Sequence, residues 1–139
     1  MRWRWIAASV ASLLLVVSCG GGSEREELVV PTPTTDLVVE AKEFHFSPPV
    51  VAVPAGQDVT VTVINRGTIK HEWVIVAKGH ELEDQRNFTE NAVLFEVDDV
   101  IDGSQRTSTF SIAQAGRYQL ICAFEGHFEA GMQASLVVV

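Results

Sequence analysis

From residue 37 onward the chain reads as short runs in which apolar and polar residues alternate. Val59, Val61 and Val63 alternate with Thr60 and Thr62, the period of two of a half-buried strand. Pro54-Ala55-Gly56 supplies a turn just before it. His71, Trp73 and Ile75 share one parity, and Phe110 and Ile112 flank Ser111. Tyr118, Leu120 and Cys122 fall on one face, opposite Arg117, Gln119 and Ile121. Met132, Ala134, Leu136 and Val138 line one face of a last strand, opposite Gln133 and Ser135. Phe44 and Phe46 are out of phase with Val39 and Ala41, which predicts a bulge between the two pairs. No long stretch has helical period. About seven to eight short strands separated by turn signals predict an all-β domain, a Greek-key β-sandwich. The weakly patterned part is 77–105, where a long connection is expected, with a helical turn and a short strand near Glu96–Val100.

The first 36 residues follow another logic. Arg2 and Arg4 precede a mostly apolar run from Ile6 to Val17, too short to span a bilayer and fitting for an export signal. The run ends Val16-Val17-Ser18-Cys19-Gly20, which resembles the bacterial lipobox, so residues 1–18 are expected to be removed and Cys19 to carry lipid. Residues 20–36, GGGSEREELVVPTPTTD, have little to bury and read as a tether. If flexible it spans about 20–25 Å. The predicted organisation is a lipoprotein signal (1–18), a lipidated cysteine with a flexible linker (19–36), and one domain (37–139).

Composition narrows the function. The chain of 139 residues is long enough for a single domain with its own core. Its net charge is −8, falling to −10 once Arg2 and Arg4 leave with the signal, so a nucleic-acid partner is not expected. Cys19 and Cys122 are the only cysteines, which excludes a disulfide scaffold and a multi-thiolate zinc site.

The chemistry concentrates in Cys122-Ala-Phe-Glu-Gly-His127-Phe-Glu-Ala-Gly-Met132, a C-x4-H-x4-M spacing. Cys122 ends one inward strand face and Met132 begins another, so the loop between them brings both to one end of the sandwich, with His127 on it. His71 follows the turn-prone Asn65-Arg66-Gly67 with the inward parity of Trp73. Thiolate and thioether are soft ligands and imidazole suits copper. Two His and one Cys in a trigonal array with a long axial Met form a blue-copper geometry. One thiolate leaves such a site at net charge +1 oxidised and neutral reduced, which eases its burial. Four protein ligands leave no open position for substrate, which favours electron transfer over catalysis.

On these residues the chain resembles the cupredoxins, small type 1 blue copper proteins. Its ligand loop is similar to those of auracyanin, rusticyanin and sulfocyanin, and the likeness covers roughly 37–139. The resemblance implies one copper ion cycling between Cu(I) and Cu(II), with His71, Cys122 and His127 as equatorial ligands and Met132 axial. It also implies that the His127 ring edge reaches the surface in an apolar patch, with Phe124 and Phe128 beside it as the electron-transfer surface. The chain departs from many relatives in having Glu125 where they have proline, Glu72 where they have Asn, and Ala123 where they have Ser or Thr. The side-chain tie that the last two make between ligand loops in those relatives is therefore missing or replaced.

Other candidates are weaker. His45 has parity opposite to its neighbours and is expected to face solvent, as is His80 in its loop. Asp98 and Asp99 read as a solvated acidic pair rather than a hard-cation site. Four histidines are too few for a second copper site of enzyme type, and a dinuclear copper centre with two thiolates is excluded. The expected protein is an exported, extracytoplasmic, membrane-tethered one-electron carrier and not an enzyme. Its expected partners are a cytochrome or a membrane electron-transfer complex, and it is expected to be a monomer. The alternative is a copper carrier or sensor of the same fold without an electron-transfer role.

Overall fold

Strand pairing places β1 (Asp36–Lys42) at the centre of the first sheet's opening half, antiparallel to β2 (His45–Ser47) and parallel to β4 (Val59–Asn65). A computed structural model describes residues 29–139; the export signal, Cys19 and most of the tether lie outside the described residues. The other strands are β3 (Val50–Val53), β5 (His71–Val76), β6 (Val93–Val100), β7 (Gln105–Phe110), β8 (Gly116–Ile121) and β9 (Gln133–Val138). They form two sheets in the orders β2-β1-β4-β7 and β3-β9-β8-β5-β6. The all-β sandwich is as expected, with nine strands among the described residues against the predicted seven to eight. The surplus lies in β2 and β3, three and four residues long, too short for alternation to register.

The alternating valines of β4 bury Val59, Val61 and Val63 completely, and β1 sends Leu37, Val39 and Ala41 to the same core. Each such side chain contributes about 1.5–3 kcal/mol when fully removed from water. Trp73 lies in the middle, with Phe110 at 5.9 Å and Phe95 at 6.4 Å between ring centroids.

Two expectations are corrected, and two further features were not expected. The phase change at Phe44 is no bulge: Lys42 pairs with His45, so Glu43 and Phe44 form a tight hairpin turn, with Phe44 at a φ of 63°. The strand expected at Glu96–Val100 starts at Val93, after two single-turn 3-10 helices, Gln85–Asn87 and Glu90–Ala92. Strand β5 is buried on both faces, because Val74 and Val76 pack under Leu82, Ala92 and Phe128 on the outer side of the sheet. Finally, residues just before Leu37 are hydrogen-bonded to the sheets. Thr34 donates its amide to the Ala52 carbonyl at 3.1 Å, and the Thr35 carbonyl accepts from the Thr60 amide at 2.8 Å.

Candidate metal centre

Three loops converge at one end of the sandwich. The first joins β4 to β5 and delivers His71. Asn65, buried, organises it: its Nδ2 donates to the carbonyls of Ile69 (2.7 Å) and Val100 (2.8 Å), and its Oδ1 accepts from the Gly67 amide (2.8 Å). The hairpin turn latches onto the same loop, for the Glu43 carboxylate accepts from both the amide and the hydroxyl of Thr68. Those donations, the amide first, hold the Glu43 carboxyl down at about 2.

The third is the loop from Cys122 to Met132. Its ends are joined by the Cys122 amide donating to the Met132 carbonyl at 3.2 Å. Inside it, His127 donates its amide to the Phe124 carbonyl (3.0 Å), and its own carbonyl accepts from the Met132 amide (3.0 Å). Gly126 (φ 81°) and Gly131 (φ 99°) adopt the left-handed conformations that let the chain double back.

These loops bring His71, Cys122 and His127 together, with one potential ligand atom from each and all three atoms within 4.8 Å of one another. Cys122 Sγ lies 3.2 Å from His127 Nδ1. The two imidazoles are 5.2 Å apart between centroids. His71, Cys122 and Met132 are wholly buried. Burial pushes both imidazoles below their ordinary pKa and the thiol above its own. Neutral imidazoles are ready to ligate. The thiol needs a metal to displace its proton, helped by the Glu72 amide that donates to Sγ at 3.4 Å.

The residues fit a metal. Among the described residues, neither ring nitrogen of His71 has a hydrogen-bond partner although both are buried. An imidazole stripped of water without a partner costs stability, and a metal bond to one nitrogen removes that cost at its own position. The soft thiolate, two imidazoles and a buried thioether nearby are a donor set for copper.

Other predicted residues fall out as follows. Phe124 is half-buried, its centroid 5.8 Å from that of His127. Phe128 is a correction: only 5% exposed, it covers Val74, Val76 and Ile121 on the outer sheet face and does not belong to the surface beside His127. Its place there is taken by Phe44, which shared parity with Phe46 implied to face inward, but which the hairpin turn exposes so that its ring meets His127 edge-on. His45 is exposed, with Nδ1 3.2 Å from the Glu43 carbonyl, and His80 is exposed too. Asp99 is ion-paired with Lys70 at 2.8 Å, and the Lys70 ammonium also stands 4.4 Å from the Phe124 ring centroid. Burial first, and then the acidic neighbours led by Asp98, push the Glu72 carboxyl up to about 7. Ala123 offers no side-chain tie, but its carbonyl accepts from Gln85 Nε2 at 2.8 Å, a residue that sequence reasoning missed.

The cupredoxin-like domain family matches residues 8–138. The chain is 30% identical over 113 residues to the copper-resistant cuproprotein CopI of Rubrivivax gelatinosus, covering 75% of this chain and 66% of that protein. It is 25% identical to auracyanin-A of Chloroflexus aurantiacus, over 99% of this chain and 97% of that one. The structure of reduced auracyanin from Roseiflexus castenholzii superposes with a TM-score of 0.67 at 22% identity, covering 78% of this chain and 99% of that one, a likeness of fold. With a His–Cys–His cluster and a buried Met beside it at the end of a β-sandwich, this chain belongs to the cupredoxin-like family and takes one copper ion.

Proposed function

We propose that the protein is a type 1 blue copper electron carrier, with His71, Cys122 and His127 as equatorial ligands and Met132 as the axial one. The observation that carries this reading is the triangle of ligand atoms from His71, Cys122 and His127, held within 4.8 Å at the sandwich end with His71 and Cys122 buried. Copper supplies one-electron exchange between Cu(I) and Cu(II). The chain does the rest. Buried His71 and Met132 keep water from the inner side, and the hydrogen-bonded loops hold the donors where they are, so little has to rearrange when the charge changes. The half-exposed His127, flanked by Phe44 and Phe124, gives the shortest way out for the electron. Four protein ligands leave no position for a substrate, which favours a carrier over an enzyme.

The setting belongs to the same reading. Export, acylation of Cys19 and a tether up to the first strand would hold the domain outside the cytoplasm at a membrane surface, as a monomer meeting a cytochrome or a membrane electron-transfer complex. No helix among the described residues is long and apolar enough to cross a membrane. Cys19→Ala should leave export intact and release the protein from membranes; a variant that still pellets after a salt wash overturns the lipid anchor.

The likeness to CopI favours one second reading, a copper-handling role in tolerance. A carrier that gives up its ion needs exchangeable ligands, whereas the thiolate here is buried. The deciding experiment is the absorption and EPR spectrum after Cu(II) is added. The copper–thiolate bond should give intense visible absorption and narrow hyperfine splitting, and Cys122→Ser should abolish both while the apo fold survives. A colourless wild type that binds copper weakly overturns the blue-copper assignment.

A further inference from the structure

Residues 77–92 leave the end of β5, cross the outer face of the five-stranded sheet and return to β6. Two glutamine side chains pin this connection. Gln119 on β8 closes on Leu82, accepting from its amide at 2.8 Å and donating to its carbonyl at 2.9 Å. Gln85 reaches the other way, into the ligand loop. Its Nε2 donates to the Ala123 carbonyl at 2.8 Å, and its Oε1 accepts from the Gly126 amide at 3.1 Å. Its own backbone amide donates to the Glu129 carboxylate at 3.2 Å. One planar amide therefore closes on the residue directly after Cys122 and the residue directly before His127.

We propose that Gln85 is a positioning residue for the copper site, fixing the separation of Cys122 and His127 by clamping Ala123 and Gly126. This rests on the reading of those two residues as copper ligands. The bonds within the loop close its turns but do not tie them to the body of the protein. Gly126 sits at a φ of 81° with open space where a Cβ would be, so no packing on that side restrains it. Ala123 has no polar side chain to offer. To the packing of Phe128 and Ala123 on the outer cluster the clamp adds a polar restraint on these two backbone groups, from a prepared base. Asp84 caps the turn by accepting from the Arg86 amide at 2.9 Å, and Phe88 packs on the outer cluster. Hydrogen bonds to groups next to a ligand orient it and tune the metal. Cu(II) prefers a tetragonal arrangement. A loop freed from Gln85 lets the oxidised site relax toward it, which lowers the reduction potential and redistributes the charge-transfer bands.

The test uses Gln85→Met, which keeps the length of the side chain and removes both of its bonds, and Gln85→Glu, which keeps the acceptor for Gly126 and loses the donor to Ala123. In the copper-free protein, amide exchange at Gly126 should speed up about fivefold in Gln85→Met, the effect of one lost hydrogen bond, with the β8–β9 ladder unchanged. It should change less in Gln85→Glu. With copper bound, both variants should show a lower potential and altered visible bands. Unchanged exchange at Gly126 overturns the clamp. So does faster exchange with the potential and spectrum of wild type, which would make Gln85 a brace of the loop alone. If the Met variant does not fold, Gln85→Glu is read for the same potential and spectrum, and wild-type values overturn the proposal. A wild type without blue colour overturns the ligand reading and this proposal with it; a blue wild type beside an unchanged variant overturns only the clamp.

Discussion

The ring of Phe44 stands edge-on to that of His127, with centroids 5.3 Å apart and planes at 81°. Phe44 holds this place at a φ of 63°, in the left-handed region that costs a bulky residue about 1 kcal/mol or more. Phe44→Gly removes ring and strain together, and an edge-on aromatic pair is worth about 0.5–1.5 kcal/mol. The two changes offset, so stability by denaturant unfolding should move by about 1 kcal/mol or less. The potential should fall. Water admitted to His127 favours the oxidised site, which carries +1, over the neutral reduced site. A potential equal to wild type would mean that Phe44 does not shield the ring.

What could be read from the sequence, and what could not, follows from what alternation reports. The parity of His71 with Trp73, and of Cys122 with Leu120, states which face each side chain takes, and the site follows once two strand ends meet. Phe44 escaped because turns at positive φ are ordinarily made by Gly or Asn, so a Phe between two short strands carries no turn signal. Phe128 was misplaced because its burial depends on the outer face of β5 and β8. There Val74, Val76 and Ile121 break the inward–outward alternation and need a cover. Gln85 lies in a connection without period and acts through backbone groups, which leave no mark in a sequence pattern.

Acid should reveal the Glu43 latch. The Thr68 amide, above all, holds this carboxyl at about 2, against an ordinary 4.5. A depressed acid binds fewer protons folded than unfolded. Its contribution is complete above about pH 5 and is lost as pH falls toward 2. Asp84, held at about 2 chiefly by the Arg86 side chain, adds to the same limb. Glu43→Gln should therefore flatten the fall of the urea midpoint between about pH 5 and 2 without abolishing it. Gly67→Ala should do the same, because its Cβ would stand 2.5 Å from Glu43 Oε1 and expel the carboxylate. Acid limbs as steep as wild type in both variants would remove the latch.

Met132 should tune copper more than hold it. Its amide donates to the His127 carbonyl and its carbonyl accepts from the Cys122 amide, and both bonds are backbone bonds that survive a side-chain change. Met132→Leu conserves volume in a fully buried position and should cost less than about 1.5 kcal/mol. Copper and colour should remain. The potential, measured by voltammetry, should rise, since losing a thioether donor destabilises Cu(II) more than Cu(I). Loss of copper, or a lower potential, contradicts the axial role.

The exit at His127 carries its own charge signature. Glu125 and Glu129 are exposed on either side of it, and the chain as a whole is at −8. Around the His127 ring stand Phe44 and Phe124, while Ile69 and Ile101 are exposed beside His71 and its strand partner Val100. With Lys70 beside Phe124 already paired with Asp99, the acids Glu125 and Glu129 set the sign of the rim, which fits a partner whose rim is basic, steered in at low salt and held by apolar contact. Electron transfer to a basic cytochrome should therefore slow as salt rises, because the screening length shrinks to about 3 Å at 1 M. Glu125→Gln should weaken that dependence. It is a cleaner probe than Glu129→Gln, which also frees the Gln85 amide. The apolar contact is tested by Phe124→Asp, since an acid at the buried Phe128 would disrupt the outer core instead. Phe124→Asp should slow transfer most visibly at high salt, where steering has gone. If Glu125→Gln and Phe124→Asp both match wild type at every ionic strength while the visible spectrum is intact, the electron leaves by another face.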